Sequence, residues 1–401
     1  MAKLDLPGMD KKYRALAEER KTENQVFYSQ FLDEFISEDS KKEIFEGNGT
    51  DYFTLDKQLY KFTDFKNLVF GIKKSEGSFL LIENVKFYYC EFSSCAFNNV
   101  EFKNCNFTGC SFIECYSTGQ GATFLQCSFM RSIPGKNSLD DMPAIFESCD
   151  FTVIFKECDM SNIISIKSHF YNTKFIETIL YDAIFLDSGF DIVRICDCDL
   201  RNTRVVGPKF NDFTFEDNNK TTKVNENTFF GRAEFSRKEK MEVNSAAEAY
   251  RSLGKLLEKN DIVEESSEYF YLFKKTERYG LNGVRKFVSL ISYLICGYGE
   301  RPFFSLIAAI LVVFLCGTLY MIFGVSFNNE TIIFHPASGN FLPPLGNLVY
   351  WYHFSLVTFT TVGYGNVVPV GWSIIVSGIE MVLGVILTGI WISTLVRKMT
   401  R

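Results

Sequence analysis

Eight residues near the C-terminal end have types and spacing that suit chemistry on an ion: Thr358-Phe359-Thr360-Thr361-Val362-Gly363-Tyr364-Gly365. A dehydrated monovalent cation needs oxygen atoms that replace its water shell. The backbone carbonyls of Thr361, Val362, Gly363 and Tyr364, with the Thr361 hydroxyl, would supply them if they faced a common axis. Such an inward-facing backbone needs unusual dihedrals, which Gly363 and Gly365 adopt without a Cβ penalty. Competing chemistry is absent from the pattern. No nucleophile stands with a base, no phosphate loop occurs, and the 12 cysteines and three histidines show no zinc spacing. A non-enzyme without an organic cofactor is expected.

Such a strand needs elements to hold it. Phe303 to Val325 carries no charge, and Ser373 to Val396 carries one, Glu380. Each run is long enough to cross a hydrocarbon core, which takes about 20 residues. Lys274, Lys275, Arg278, Arg285, Lys286 and Arg301 precede the first run, and Arg397, Lys398 and Arg401 follow the second. Ser326 to Trp372, between them, contains no Lys or Arg. By the positive-inside rule both termini are cytoplasmic. Met1 to Asp10 has no apolar signal-peptide core, in keeping with that. Gly346 to Thr360 is apolar and aromatic and reads as a re-entrant pore helix. Its C-terminal end would aim partial negative charge at a cation. One chain offers one strand, so a closed ring of carbonyls requires more than one chain.

The octet matches the potassium-channel signature TxxTxGYG at every fixed position, and residues 297–401 resemble two-transmembrane-helix potassium channels. The resemblance implies a K⁺-selective, passive homotetramer embedded in lipid, in a prokaryotic inner membrane, with K⁺ held by Thr361, Val362, Gly363 and Tyr364. Thr361 to Gly365 would be the filter, supported by Thr358, Trp351 and Asn366. Gly384 matches the hinge glycine of such channels, with Thr388, Ile392 and Val396 following on one face to line the inner pore. Asn366 replaces the usual Asp after GYG. Val357 stands where some relatives place a Glu, so a carboxylate brace behind the filter is not expected. Glu380, the one ionisable residue inside either run, is expected to brace protein to protein, because charge is costly there. Neither a four-helix voltage sensor nor a G-x-G-x-x-G nucleotide fold is present.

The first 280 residues are unlike this. Phe87, Phe92, Phe97, Phe102, Phe107 and Phe112 recur every five residues, and Val85, Cys90, Cys95, Val100, Cys105 and Cys110 stand two positions before them. After a slip at Phe155 the series runs from Met160 through Phe170, Phe175, Leu180, Phe185 and Phe190 to Phe215, broken at Ser165. A period of five fits neither helix nor strand but one side of a solenoid. Four sides make a 20-residue coil, with coils stacked about 4.8 Å apart. The pattern resembles the pentapeptide-repeat family over about residues 82–215, which implies a right-handed quadrilateral β-helix. The cysteines in it are small core residues, reduced in the cytoplasm. Ser117 to Asp141 contains irregular stretches and a loop.

The expected organisation is a multidomain chain. Residues 1–81 form an N-terminal helical or capping region, with a helix over 10–46 covering the solenoid end. Residues 82–235 form the β-helix. Residues 236–282 are a helical hairpin linker whose first helix is capped by Ser245. Residues 283–301 are an interfacial helix, with Arg285 and Lys286 near headgroups. Residues 302–401 are the all-α pore. The repeats would serve assembly or gating, or dock a cytoplasmic partner or ligand of unidentified chemistry. Some pentapeptide-repeat proteins resemble DNA and bind topoisomerases; fusion to a membrane pore argues against that role. No nucleic-acid partner is expected of a chain with net charge −6 and no basic surface signal. A non-conducting membrane scaffold is the third reading, disfavoured by the intact octet.

Overall fold

The computed structural model describes residues 6–37, 41–73, 78–129, 143–328, 330–334 and 345–399. They divide into two compact units, Met1–Gly280 and Leu281–Arg401.

The first unit is a parallel β-solenoid. Along one side Phe45, Phe65, Phe92, Phe112, Phe146, Ser165, Phe185, Val205 and Phe230 pair in register from coil to coil. Their rings stack at the strand spacing: Phe65 to Phe92 at 5.0 Å, Phe92 to Phe112 at 4.8 Å and Phe112 to Phe146 at 4.9 Å. The small position two residues earlier also has a polar task. Cys95 Sγ lies 3.2 Å from the Phe65 carbonyl, Thr178 Oγ1 3.1 Å from that of Phe155, and Thr203 Oγ1 2.7 Å from that of Leu180. A small side chain with one donor therefore fills the corner and donates to the previous coil, which explains why Cys, Ser and Thr alternate there.

The corners themselves are left-handed. Tyr89, Ser94, Asn99 and Asn104, then Lys167, Asn172, Glu177, Asp182 and Asp187, recur every five residues with φ between 45° and 58°. Asn and Asp tolerate that region better than most residues, and they are frequent at this position. The irregularity after Ser117 is local. The strand Tyr116–Leu125 stays paired with the preceding coil, with a register shift between Thr118 and Ala122. Residues 130–141 of the expected loop lie outside the described residues.

Three expectations need correction. The ladder starts at Ile44–Glu46, not at 82. Tyr60, Phe65 and Phe70 already carry the five-residue phase, but the insertion before Ile82 breaks it, so the first coils do not read on from the rest. The N-terminal helix α1, Leu6–Ser37, does not cover an end. It is about 48 Å long at 1.5 Å per residue and runs along the nine-strand side. Tyr13 packs on Phe229 near the last coils, whereas Phe35 packs on Phe62 near the first. The side beneath it is apolar outside as well as inside, with Ile164, Ile166, Ile184, Leu186 and Val206 buried against Tyr13 and Ala17. Ser245 caps nothing: it lies inside α2, Lys240–Lys259, which begins earlier because Val243 is buried.

The C-terminal end is closed by α2 and by α3, Val263–Gly280. Tyr269 Oη accepts from the Phe230 N–H and donates to the Phe230 carbonyl, each at 2.9 Å, and Tyr250 Oη accepts from the Ala233 N–H at 2.6 Å. The edge of the last coil is thereby hydrogen-bonded by phenols, while Leu253, Leu256 and Leu257 extend the Phe core. The hairpin is thus a lid on the solenoid end.

The second unit contains α4, Gly283–Cys296; α5, Pro302–Phe323; α6, Leu345–Phe359; and α7, Ser373–Met399. Helices α5 and α7 are long and apolar enough to cross a membrane. The apolar residues Val284, Phe287, Val288 and Leu294 of α4 are exposed. The unit is not all-α: Glu330–Ile332, Val325–Phe327 and Val367–Pro369 form a small antiparallel sheet. It ties the chain leaving α5 to the chain entering α7.

Candidate functional site

The octet begins inside α6, which packs on α5 through Phe314 stacked on Tyr352 at 5.5 Å. The helix closes with Thr360 N–H to the Leu356 carbonyl at 3.0 Å and Val362 N–H to that of Val357 at 3.1 Å. Beyond it every second residue is left-handed: Thr361 at φ 59°, Gly363 at 61° and Gly365 at 79°. Two are glycines and the third is a threonine, the residue whose hydroxyl the cation chemistry calls on. Val362 and Tyr364 are 56% and 68% exposed, so this strand has little cover within its own subunit. Tyr364 stacks on His353 of α6, with centroids 6.1 Å apart and planes 14° apart. Asn366 is exposed at the start of the return strand.

Thr358 is buried, and its carbonyl accepts from the Thr361 N–H at 3.0 Å. Trp351 is fully buried away from the octet. Its Nε1–H donates to the Ile332 carbonyl at 3.1 Å, and its ring joins Cys316, Tyr320, Val325 and Phe354. Within the subunit Trp351 therefore ties α6 to the outer sheet, where its indole finds an acceptor.

Of the two readings of Gly384, hinge or close helix packing, the structure supplies an observation for packing. A Cβ on Gly384 would lie 2.0 Å from the Phe359 carbonyl oxygen. Gly384 shares its buried face with Ser373, Ser377, Glu380 and Leu387. Thr388, Ile392 and Val396 are exposed in the subunit, so they do not share the environment of Gly384.

One turn above Gly384, Glu380 is fully buried. Tyr320 Oη of α5 donates to its Oε2 at 2.6 Å, and Ser355 Oγ of α6 meets its Oε1. Glu380 of α7 therefore contacts both α5 and α6, the bracing place expected of it. At the other end of α7, Arg397 pairs with Glu300 at 2.9 Å. Glu300 is 7% exposed and sits at the elbow between α4 and α5.

His353, Ser355, Tyr320 and the Glu300–Arg397 pair were not singled out from sequence. The signal for the last was available: an acid just before the first apolar run and a base just after the second lie at the same membrane level. Among the described residues no cluster of His, Cys, Asp and Glu could hold a metal.

An ion-channel family model matches residues 307–401, and a pentapeptide-repeat model matches residues 83–116. No curated protein matches the chain. Among solved structures, full-length QnrB1, a plasmid-mediated fluoroquinolone resistance protein, is 15% identical over 46% of this chain and 93% of its own, with TM-score 0.21. HetL, a pentapeptide repeat protein involved in heterocyst differentiation regulation from the cyanobacterium Nostoc sp., is 10% identical over 44% of this chain and 80% of its own, with TM-score 0.17. The two domain matches point to a non-enzymatic membrane protein: the chain carries pentapeptide repeats followed in sequence by a C-terminal ion-channel domain.

Proposed function

We propose that four copies of this chain form a K⁺-selective channel in which Thr361 to Gly365 is the filter and K⁺ is the passively conducted ion. The observation that carries the reading is the left-handed φ at Thr361, Gly363 and Gly365. Alternating handedness turns successive peptide groups the same way, whereas a β-strand alternates them, and a column of carbonyls is what a dehydrated K⁺ requires. The exposure of Val362 and Tyr364 in one subunit supports a partner on each side. Both termini lie in the cytoplasm, and the membrane is a prokaryotic inner membrane. The solenoid, closed by α2 and α3 and strapped by α1, acts as a rigid cytoplasmic body in assembly or gating.

If gating bends the inner helix, Gly389 is a candidate hinge as well as Gly384. A Cβ on Gly389 would meet nothing within 4 Å, so packing within the subunit gives no reason for a glycine in a helix interior. The purified full-length protein in lipid vesicles tests the reading through flux of K⁺ against Na⁺. K⁺-selective flux supports it; a folded tetramer with no K⁺ preference overturns the filter assignment.

A further inference from the structure

The geometry points to Glu380 as the positioning residue that holds the pore helix, and through it the filter, on the inner helix; this rests on the filter reading above. Two contacts repeat one helical turn apart. Glu380 meets Ser355, and four residues on in both helices Gly384 meets Phe359. Helices α6 and α7 are therefore fixed in register at two successive steps, one polar and one steric. Residues i and i+4 share a helix face, so a slip of either helix breaks both contacts together. The filter strand leaves α6 directly after Phe359, so any displacement of that step is carried into Thr361.

The hydroxyl count around the carboxyl sharpens the assignment. Tyr320 Oη lies 2.6 Å from Oε2, Ser355 Oγ contacts Oε1, and Ser355 Oγ also lies 2.8 Å from the Val313 carbonyl. Three oxygen–oxygen contacts need three protons. Tyr320 and Ser355 bring one each. The third is supplied if the carboxyl carries it, donating to Ser355 while Ser355 donates to Val313 and Tyr320 donates to the other carboxyl oxygen. In that form Glu380 joins α7 to α6 directly and to α5 through both Tyr320 and Val313. A glutamine reproduces the pattern, with Nε2–H toward Ser355 and Oε1 toward Tyr320. An aspartate is one methylene short, and a leucine offers neither bond.

The test uses the full-length tetramer in vesicles, with K⁺, Rb⁺ and Na⁺ permeability ratios and amide exchange of residues 355–366 as readouts. E380Q is expected to keep the K⁺/Na⁺ ratio and exchange protection of the parent protein. E380L, and more mildly S355A, should lower the ratio by about tenfold and speed exchange at the end of α6, the effect of losing one or two buried hydrogen bonds. Adding S355A to E380L should cost less than S355A alone, because the Glu380–Ser355 contact is already gone and only the Ser355–Val313 bond is newly lost. If E380L does not assemble, S355A and Y320F carry the comparison. Parent-like selectivity and exchange in E380L, or in S355A and Y320F where E380L fails, overturns the positioning role. So does an E380Q channel as damaged as E380L. A merely structural role would reduce tetramer yield and leave the permeability ratios of the surviving tetramers untouched, which also overturns it. Absence of K⁺ preference in the parent protein instead sinks the filter reading. The exchange of residues 355–366 then still decides whether Glu380 holds the pore helix.

Discussion

Gly384 of the inner helix abuts the carbonyl oxygen of Phe359, the last residue of the pore helix, so closely that a Cβ would come within 2.0 Å of it. The obstacle is backbone, which cannot rotate away, so Gly384→Ala must push α6 and α7 apart. Overpacking of this kind costs about 1–3 kcal/mol. G384A is expected to lower the thermal stability of the tetramer and disturb selectivity. G389A should do neither. It removes about 1 kcal/mol of glycine's helix penalty, stiffens the helix and lowers open probability. Single-channel recording and thermal melts of the two variants check this. Normal selectivity and stability in G384A would return it to the role of hinge.

Gly363→Ala tests the proposed filter by a different route. A Cβ on Gly363 would meet nothing within 4 Å in its own subunit, so intrasubunit crowding is not the problem. The strain comes from φ at 61°, which costs a residue with a Cβ about 1–2 kcal/mol, and from the neighbouring strands of a tetramer. The expected outcome is an assembled channel with lost conduction or lost K⁺ preference in vesicle flux. Ordinary K⁺-selective current from G363A would mean that residues 361–365 do not form the filter.

The Glu300–Arg397 pair joins the last turn of the inner helix to the elbow before the outer helix. Arg397 also complements the negative end of the α7 dipole. Removing either partner takes one ion-pair contact from the buried Glu300 and from the end of α7. E300Q and R397Q should therefore each shift open probability in the same direction. The swap E300R/R397E should recover part of the change, because it restores attraction but opposes the dipole. Additive effects of the two single variants would show that the pair does not couple.

The five-residue period exposed the solenoid because every coil repeats the same inward pair, Phe and a small residue, and such repetition survives insertions. The start of the solenoid was hidden because only Tyr60, Phe65 and Phe70 precede the insertion, too short a run to fix a phase. The strap was readable only in hindsight, from Ile164, Ile184 and Leu186 standing outward on one side. Burial by a segment more than a hundred residues away leaves no local signature. In the channel domain the octet and the two apolar runs were plain in the sequence. Whether Gly384 bends or packs depends on which backbone atom it meets, and Glu380 with Ser355 depends on register between two helices. Neither is written in residue spacing within one helix.

The buried thiols give a test of the solenoid core. Ten of its cysteines are buried and free, and burial pushes the Cys198 thiol up to about 12. Burial shuts the reagent out from all ten, including Cys95 and Cys105, whose thiols are lowered by hydrogen bonds with Cys115 and Cys127. At Cys198 the reactive thiolate is also scarcer. These side chains should therefore resist alkylation at neutral pH in the folded protein. Cys296, partly exposed at the end of α4, should label first. Mass spectrometry after brief iodoacetamide treatment is expected to find modification at Cys296, with the solenoid cysteines labelled only after denaturation. Early labelling at Cys95, Cys110 or Cys198 would mean that the coils open in the native state.

The strap α1 should respond to acid. Arg14 hydrogen-bonds both carboxylate oxygens of Asp187, and that bond holds the Asp187 carboxyl below its ordinary value of 3.8. A depressed carboxylate contributes stability that is fully present above its unfolded value and is lost as pH falls through the folded one. The strap should therefore be secure at neutral pH and loosen below about pH 4. Both side chains are partly exposed, 43% for Arg14 and 33% for Asp187, so solvent and salt weaken the effect. Arg20 and Lys21 make further pairs, with Asp182 and Glu147. Amide exchange over residues 6–37 between pH 3 and pH 7 is the measurement. Corrected for intrinsic rates, protection should drop on the acid side in the parent protein. In D187N it should start lower at neutral pH and fall less on acidification. Protection of α1 that is independent of pH, or a D187N profile identical to the parent's, would assign its attachment to the apolar contacts of Tyr13, Ala17, Phe31 and Phe35 alone.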